Sequence, residues 1–75
     1  MEAFIFVKAA AGSTPAVQAA LRQLPAMKRV NACWGVPDII ALVEVKDLQA
    51  LRDLVLTQVQ AVEGVTETDT RIVIE

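Results

Sequence analysis

The stretch "CWGVPDIIALVEVKD", residues 33–47, decides how the chain is read. Ile39, Ala41, Val43 and Val45 fall on one side of an extended segment, and Ile40 and Leu42 on the other. A strand packed on one side only should turn polar on alternate residues. This one does so only at Glu44 and Lys46. Both of its faces therefore call for cover, and a Gly-x-x-Asp turn (Gly35 to Asp38) stands at its entrance.

Working outward, "EAFIFVKA" (2–9) is rich in aromatic and β-branched residues and reads as a first strand. Gly12 and Ser13 break it. Thr14 is expected to cap a helix with Pro15 at its first position, where the missing N–H costs nothing. Val17, Leu21 and Leu24 form the apolar stripe of that helix, and Pro25 stops it. "AMKRVNACW" (26–34) alternates as a second strand, with Val30, Ala32 and Trp34 on one face. After the quoted strand, Asp47 is expected to cap a second helix carrying Leu51, Val55, Val59 and Val62 as its stripe, with Gly64 ending it. "TETDTRIVIE" (66–75) closes the chain as a strand with Thr68, Thr70, Ile72 and Ile74 on one face.

The order β-α-β-β-α-β predicts an α+β fold, a single ferredoxin-like sandwich over residues 1–75. Its four-stranded antiparallel sheet carries both helices on one face and leaves the other bare. Ile40, Leu42 and Val73 would lie on the bare face. Apolar area gains about 25 cal/mol per Å² when buried. The simplest cover is the same face of a second copy, in a dimeric α+β barrel-type assembly.

Composition agrees. Of the 75 residues 55% are hydrophobic, and the mean hydropathy is +0.47, more apolar material than one small core absorbs. No apolar run approaches the roughly 20 residues of a membrane span, and no signal peptide is evident. Self-association is expected, and membrane association is not. A net charge of −2 with scattered basic residues gives no stripe for nucleic acid. The single Cys33 forms no internal disulfide and is expected as a small core residue, consistent with a cytoplasmic chain. With no histidine there is no zinc-ligand set, so neither metal nor cofactor is expected.

The catalytic inventory is poor. Without His or Tyr the usual acid–base and triad machinery is missing, and Ser13 fits a turn better than a nucleophile. Asp38, Glu67 and Asp69 are acids near strand ends and fit solvated turns. Binding fares better. Gly35 lets a ligand approach the backbone, Val36-Pro37 stiffens the turn, and Asp38 offers an acceptor to an ammonium or to backbone N–H groups. Thr66, Thr68 and Thr70 add hydroxyls, and together such groups suit the zwitterion of an amino acid.

Residues 35–75, "GVPDIIALVEVKDLQALRDLVLTQVQAVEGVTETDTRIVIE", resemble the ligand-binding half of Lrp/AsnC transcription regulators, the RAM domain. The matching elements are the Gly35–Asp38 turn, the apolar strand after it, the helix start at Asp47, and the closing Gly64-Val65 with the spaced pair Thr68 and Thr70. The resemblance implies dimers joined through their sheets and assembled into rings. It implies an effector amino acid held between dimers by the Gly35–Asp38 loop and by Thr68 and Thr70, with Trp34 as a wall. Full-length regulators carry a helix-turn-helix reader ahead of this domain. This sequence starts on its first strand at Met1 and resembles the stand-alone form, which would meet DNA only by co-assembly with a DNA-binding relative. Pro37 departs from the family's usual polar or aromatic residue. Two other readings stay open from the residues: a structural assembly module without ligand, and a small dimeric α+β barrel enzyme with its pocket between helix and sheet.

Overall fold

A computed structural model describes all residues, 1–75, as one sheet with both helices on one side. The elements are β1 (Glu2–Ala9), α1 (Thr14–Arg22), β2 (Met27–Ala32), β3 (Ile39–Glu44), α2 (Leu48–Asp53), which runs on as a π-helical segment (Leu54–Val59), and β4 (Val65–Ile72). The strands lie in the order β2-β3-β1-β4, antiparallel throughout. The expected fold is the one observed.

Alternation decides the two faces. Ala3, Ile5 and Val7 of β1 and Ile39, Ala41 and Val43 of β3 are buried, together with Val30 of β2. They meet Val17 and Leu21 of α1 and Leu51, Leu54 and Val59 from the second helix. Phe4 pairs with Leu42 and Phe6 with Ile40, so these four side chains share the opposite, helix-free face. Phe4 is 40% exposed there, and the other three are half-buried by their neighbours.

Several details differ from the sequence reading: the closing strand runs Val65–Ile72 rather than to residue 75, and the first helix ends at Arg22, before Leu24. The first helix starts one residue early: Ser13 is its cap residue, its carbonyl accepting Val17 N–H at 2.9 Å, and no side chain caps the end. The second stripe is Leu51, Leu54 and Val59, with Val55 and Val62 only half-buried. The cause is the π-helical segment, where Gln60 N–H reaches back five residues to Val55 O at 3.0 Å. The wider turn aligns residues five apart, Leu54 with Val59. The second strand ends at Ala32: Cys33 N–H still donates to Asp38 O at 2.6 Å, but Asp38 N–H goes to Val7 O at 3.1 Å, so the pair is not completed. Cys33 is thus half-buried rather than a core residue, and Trp34 stands fully exposed beyond the strand. Asp47 caps the second helix as expected, accepting Ala50 N–H at 2.8 Å.

On the outside of the sheet, Lys28 Nζ lies 2.8 Å from Glu2 Oε2 and 3.6 Å from Glu44 Oε1. The Lys28 ammonium lowers the Glu2 pKa, chiefly by hydrogen bonding, and Glu2 raises that of Lys28. Glu2's contribution is present above the ordinary carboxylate range and is lost as pH falls through its lowered folded value. The Lys28 contribution is present below the ordinary lysine value and is lost as pH rises through its raised folded value. Both groups are exposed and screened by salt. Lys28→Gln is therefore expected to leave the Tm at neutral pH nearly unchanged and to shrink the Tm drop on acidification. Melting curves from neutral to acid pH check it, and an unchanged acid limb would refute it.

Candidate functional site

The β2–β3 loop, residues 33–38, and the edge strand β4 reach the same end of β1. Asp38 N–H donates to Val7 O at 3.1 Å, and its Oδ2 accepts Ala9 N–H at 2.8 Å. That carboxylate thus holds β1 where its pairing with β4 shifts register between Lys8 and Ala9. Gly35 has φ +109°, which its lack of a Cβ permits, and Val36 is 82% exposed. From the other side of β1, Thr68 lies opposite Val7 and Thr70 opposite Ile5.

An open groove of about 340 Å³ forms where loop and edge strand meet on the helix-free side. Val36 and Pro37 line one wall, Phe6 and Lys8 the floor, and Glu67, Thr68, Asp69 and Arg71 the other wall. Arg71 Nη2 is paired with Asp69 Oδ2 at 2.9 Å. Lys8 makes no ion pair within the chain. Glu67 supplies an opposite charge on the same groove.

Of the residues singled out in the sequence, the structure brings Val36 to this groove; Thr68 borders it along the strand, its hydroxyl lying on the helix side, where Gln60 Nε2 donates to it at 3.0 Å. Thr70 lines a different, apolar groove with Leu51, Val55 and Ile72 on the helix side. Trp34 and Gly35 are exposed in the loop without lining either groove, and one oxygen of Asp38 is committed to Ala9. Asp38 and Thr68 flank β1, so two strand spacings of about 4.8 Å each separate their backbones. The Thr68 and Thr70 side chains lie on the helix side of the sheet, opposite Val7 and Ile5, and the groove lies on the other side. Sequence reasoning missed Lys8, Arg71 and Gln60. Strand alternation puts Lys8 and Arg71 on one face once β1 and β4 are known neighbours. Gln60, whose Nε2 donates to Thr68 Oγ1 at 3.0 Å, carries no signal in the sequence.

No helix of the chain is long and apolar enough to cross a membrane. Residues 2–75 match the family model of the Lrp/AsnC ligand binding domain. Among solved structures the chain is similar to TTHA0845 from Thermus thermophilus, at 30% identity and TM-score 0.93, covering 99% of this chain and 92% of that one. It is similar to AsnC of E. coli at 23% identity and TM-score 0.93, covering 99% of this chain and 50% of that one. A third is the transcriptional regulator NMB0573 of Neisseria meningitidis, solved as a complex with L-Met. There the identity is 22% and the TM-score 0.87, covering 99% of this chain and 49% of that one. This chain thus spans about half the length of the latter two proteins. No match was found among curated proteins. The chain belongs to the family of Lrp/AsnC ligand-binding domains.

Proposed function

We propose that this chain is an effector-sensing module that binds an amino acid between associated copies of itself and acts in the regulation of amino-acid metabolism. The match of residues 2–75 to a ligand-binding domain carries the reading. The L-Met complex of the Neisseria regulator supports an amino acid as the ligand class. The geometry adds a reason for a shared site. The loop with Gly35, Val36 and Asp38 and the pair Thr68 and Thr70 are not gathered around one cavity of a single chain, and in this reading a second subunit completes the set. Carboxylate would be met by backbone N–H and hydroxyl donors and by Lys8, and ammonium by Asp38 or Glu67. Trp34, exposed in the loop, would close over the ligand's side chain.

The same reading has the chain dimerising through the face that carries Phe4, Phe6, Ile40 and Leu42, with dimers joined into a ring in the cytoplasm. Co-assembly with a DNA-binding relative would bring it to an operator. Ligand held between dimers couples binding to assembly by mass action.

Calorimetric titration with the twenty amino acids, beside sizing in solution, tests this. One or a few amino acids are expected to release heat and to shift the assembly, and Asp38→Ala to abolish the heat with the assembly kept. Silence with all twenty up to millimolar concentrations removes the sensor reading. Loss of assembly in Asp38→Ala instead favours a structural module, for which the Asp38–Ala9 bond already gives a reason.

A further inference from the structure

At the groove end of β1, one peptide bond is held by side chains from both sides. β3 pairs with β1 no further than Ile39 opposite Val7. On β4 the register shifts there, with Glu67 opposite Lys8 and Val65 opposite Ala9, so Thr66 is the extra residue of a bulge. Thr66 Oγ1 donates to Lys8 O at 3.1 Å, and from the far side Asp38 Oδ2 accepts Ala9 N–H at 2.8 Å. Lys8 C=O and Ala9 N–H belong to the same peptide. Its plane is rigid, so bonds at both ends stop it rocking and fix ψ of Lys8 and φ of Ala9.

Every wall of the groove is tied to that peptide. Lys8, on the floor, owns its carbonyl, Glu67 follows Thr66 on one wall, and Val36 and Pro37 precede Asp38 on the other. Neither holding residue reaches the groove itself. Asp38 is half-buried and lines no groove of the chain. Thr66 lines a different one, with Gln60 and Val65.

We infer, resting on the reading of this groove as part of the amino-acid site, that Thr66 and Asp38 are positioning residues. Together they clamp the Lys8–Ala9 peptide and so hold Lys8, Glu67 and the Val36–Pro37 wall at fixed spacing. Asp38 acts on the ligand through the peptide, as a hydrogen-bond acceptor, and Glu67 is left to meet the ammonium. The two roles open to Asp38 separate at Asp38→Asn, which keeps an acceptor for Ala9 N–H and removes the charge an ammonium needs. At the other end of the peptide, Thr66→Val keeps the shape of the side chain and removes its hydroxyl, whereas Thr66→Ser keeps the hydroxyl. Thr66 is exposed, so neither change disturbs the core.

Amide hydrogen exchange tests the clamp without ligand. The peptide plane opens as a unit, so a bond lost at its carbonyl end shows at its N–H end. Ala9 N–H is expected to exchange at least about tenfold faster in Asp38→Ala and roughly 2–10-fold faster in Thr66→Val. Asp38→Asn and Thr66→Ser should recover most of the protection, and the core amide of Ala41 should keep its rate throughout. Calorimetric titration of the same variants with the twenty amino acids is the second readout. Thr66→Val is expected to weaken the binding seen with the parent by roughly 2–10-fold, and Thr66→Ser and Asp38→Asn to retain it. Glu67→Gln should abolish it with Ala9 still protected. A parent silent toward all twenty ends the sensor reading, and the exchange rates still decide the clamp. Ala9 exchange in Thr66→Val equal to the parent's, or a rise shared by Ala41, overturns the inference. Loss of binding in Asp38→Asn with Ala9 still protected overturns it as well, by making Asp38 the partner of the ammonium.

Discussion

Gly64→Ala is expected to unfold much of the population at physiological temperature. Gly64 has φ +101°, where side chains with a Cβ are strained by roughly 1–3 kcal/mol. A Cβ there would also lie 2.9 Å from Ser13 Cβ and 2.9 Å from Val17 Cγ2. Val17 is fully buried and Ser13 is the cap residue of the first helix, so neither yields cheaply. Overpacking of this kind costs about 1–3 kcal/mol more. The sum is a large part of the stability of a domain this small, near the lower end of about 5–15 kcal/mol. Gly35→Ala is the matched control: φ is similar at +109°, but nothing lies within 4 Å of the added Cβ. Urea denaturation should show Gly35→Ala losing only the backbone share. Equal losses in the two variants would show that the close approach at Gly64 contributes nothing.

Leu42→Glu is expected to leave the chain folded and to abolish association through the sheet face. Leu42 stands among Phe4, Phe6 and Ile40 on the helix-free side, away from the buried core. As a monomer the variant loses no core contact and gains a solvated charge. In a face-to-face dimer the same carboxylate would be buried without a partner, at a cost of several kcal/mol. The lost leucine burial adds about 1.5–3 kcal/mol. Together these weaken association by at least about a thousandfold, at about 1.4 kcal/mol per tenfold. Sedimentation velocity across a concentration series, with circular dichroism to confirm the fold, reads the outcome. A variant that associates as the parent does would place the subunit contact on another surface.

The legible parts of this sequence are those set by local pattern. Asp47 three residues before Ala50 and the alternation of residues 39–43 each state a local requirement, and each is met. Gly64 does take a positive φ, +101°, but in the turn beyond Gln60, the residue that caps the helix. Pattern misleads where tertiary contacts override it. Alternation in β2 carries on to Trp34 in the sequence, but the pairing stops after Cys33, because Asp38 N–H is taken by Val7 O of β1 instead of completing the pair with Cys33. The stripe through Val55 assumes an unbroken α-helical period, and the π-helical segment moves that burial to Leu54. The candidate groove is only partly visible. Val36 and Thr68 can be named from motif and spacing, but Lys8 and Arg71 come from strands that only their pairing makes adjacent.

By itself the sequence determined the order of elements, the direction of each strand's apolar face and the presence of a bare sheet face. These follow from periods of two and of about 3.6 residues, which every residue's neighbours enforce. Only the tertiary structure decided which strands lie at the edges, which edge is capped by Gln18 and Arg22, and which is left open at Thr68, Thr70 and Ile72. It also decided that Asp38 spends one carboxylate oxygen on Ala9, 29 residues away. Strand order and hydrogen-bond direction depend on contacts between residues far apart in the chain. A local pattern fixes which way a side chain points, and the fold fixes what it meets.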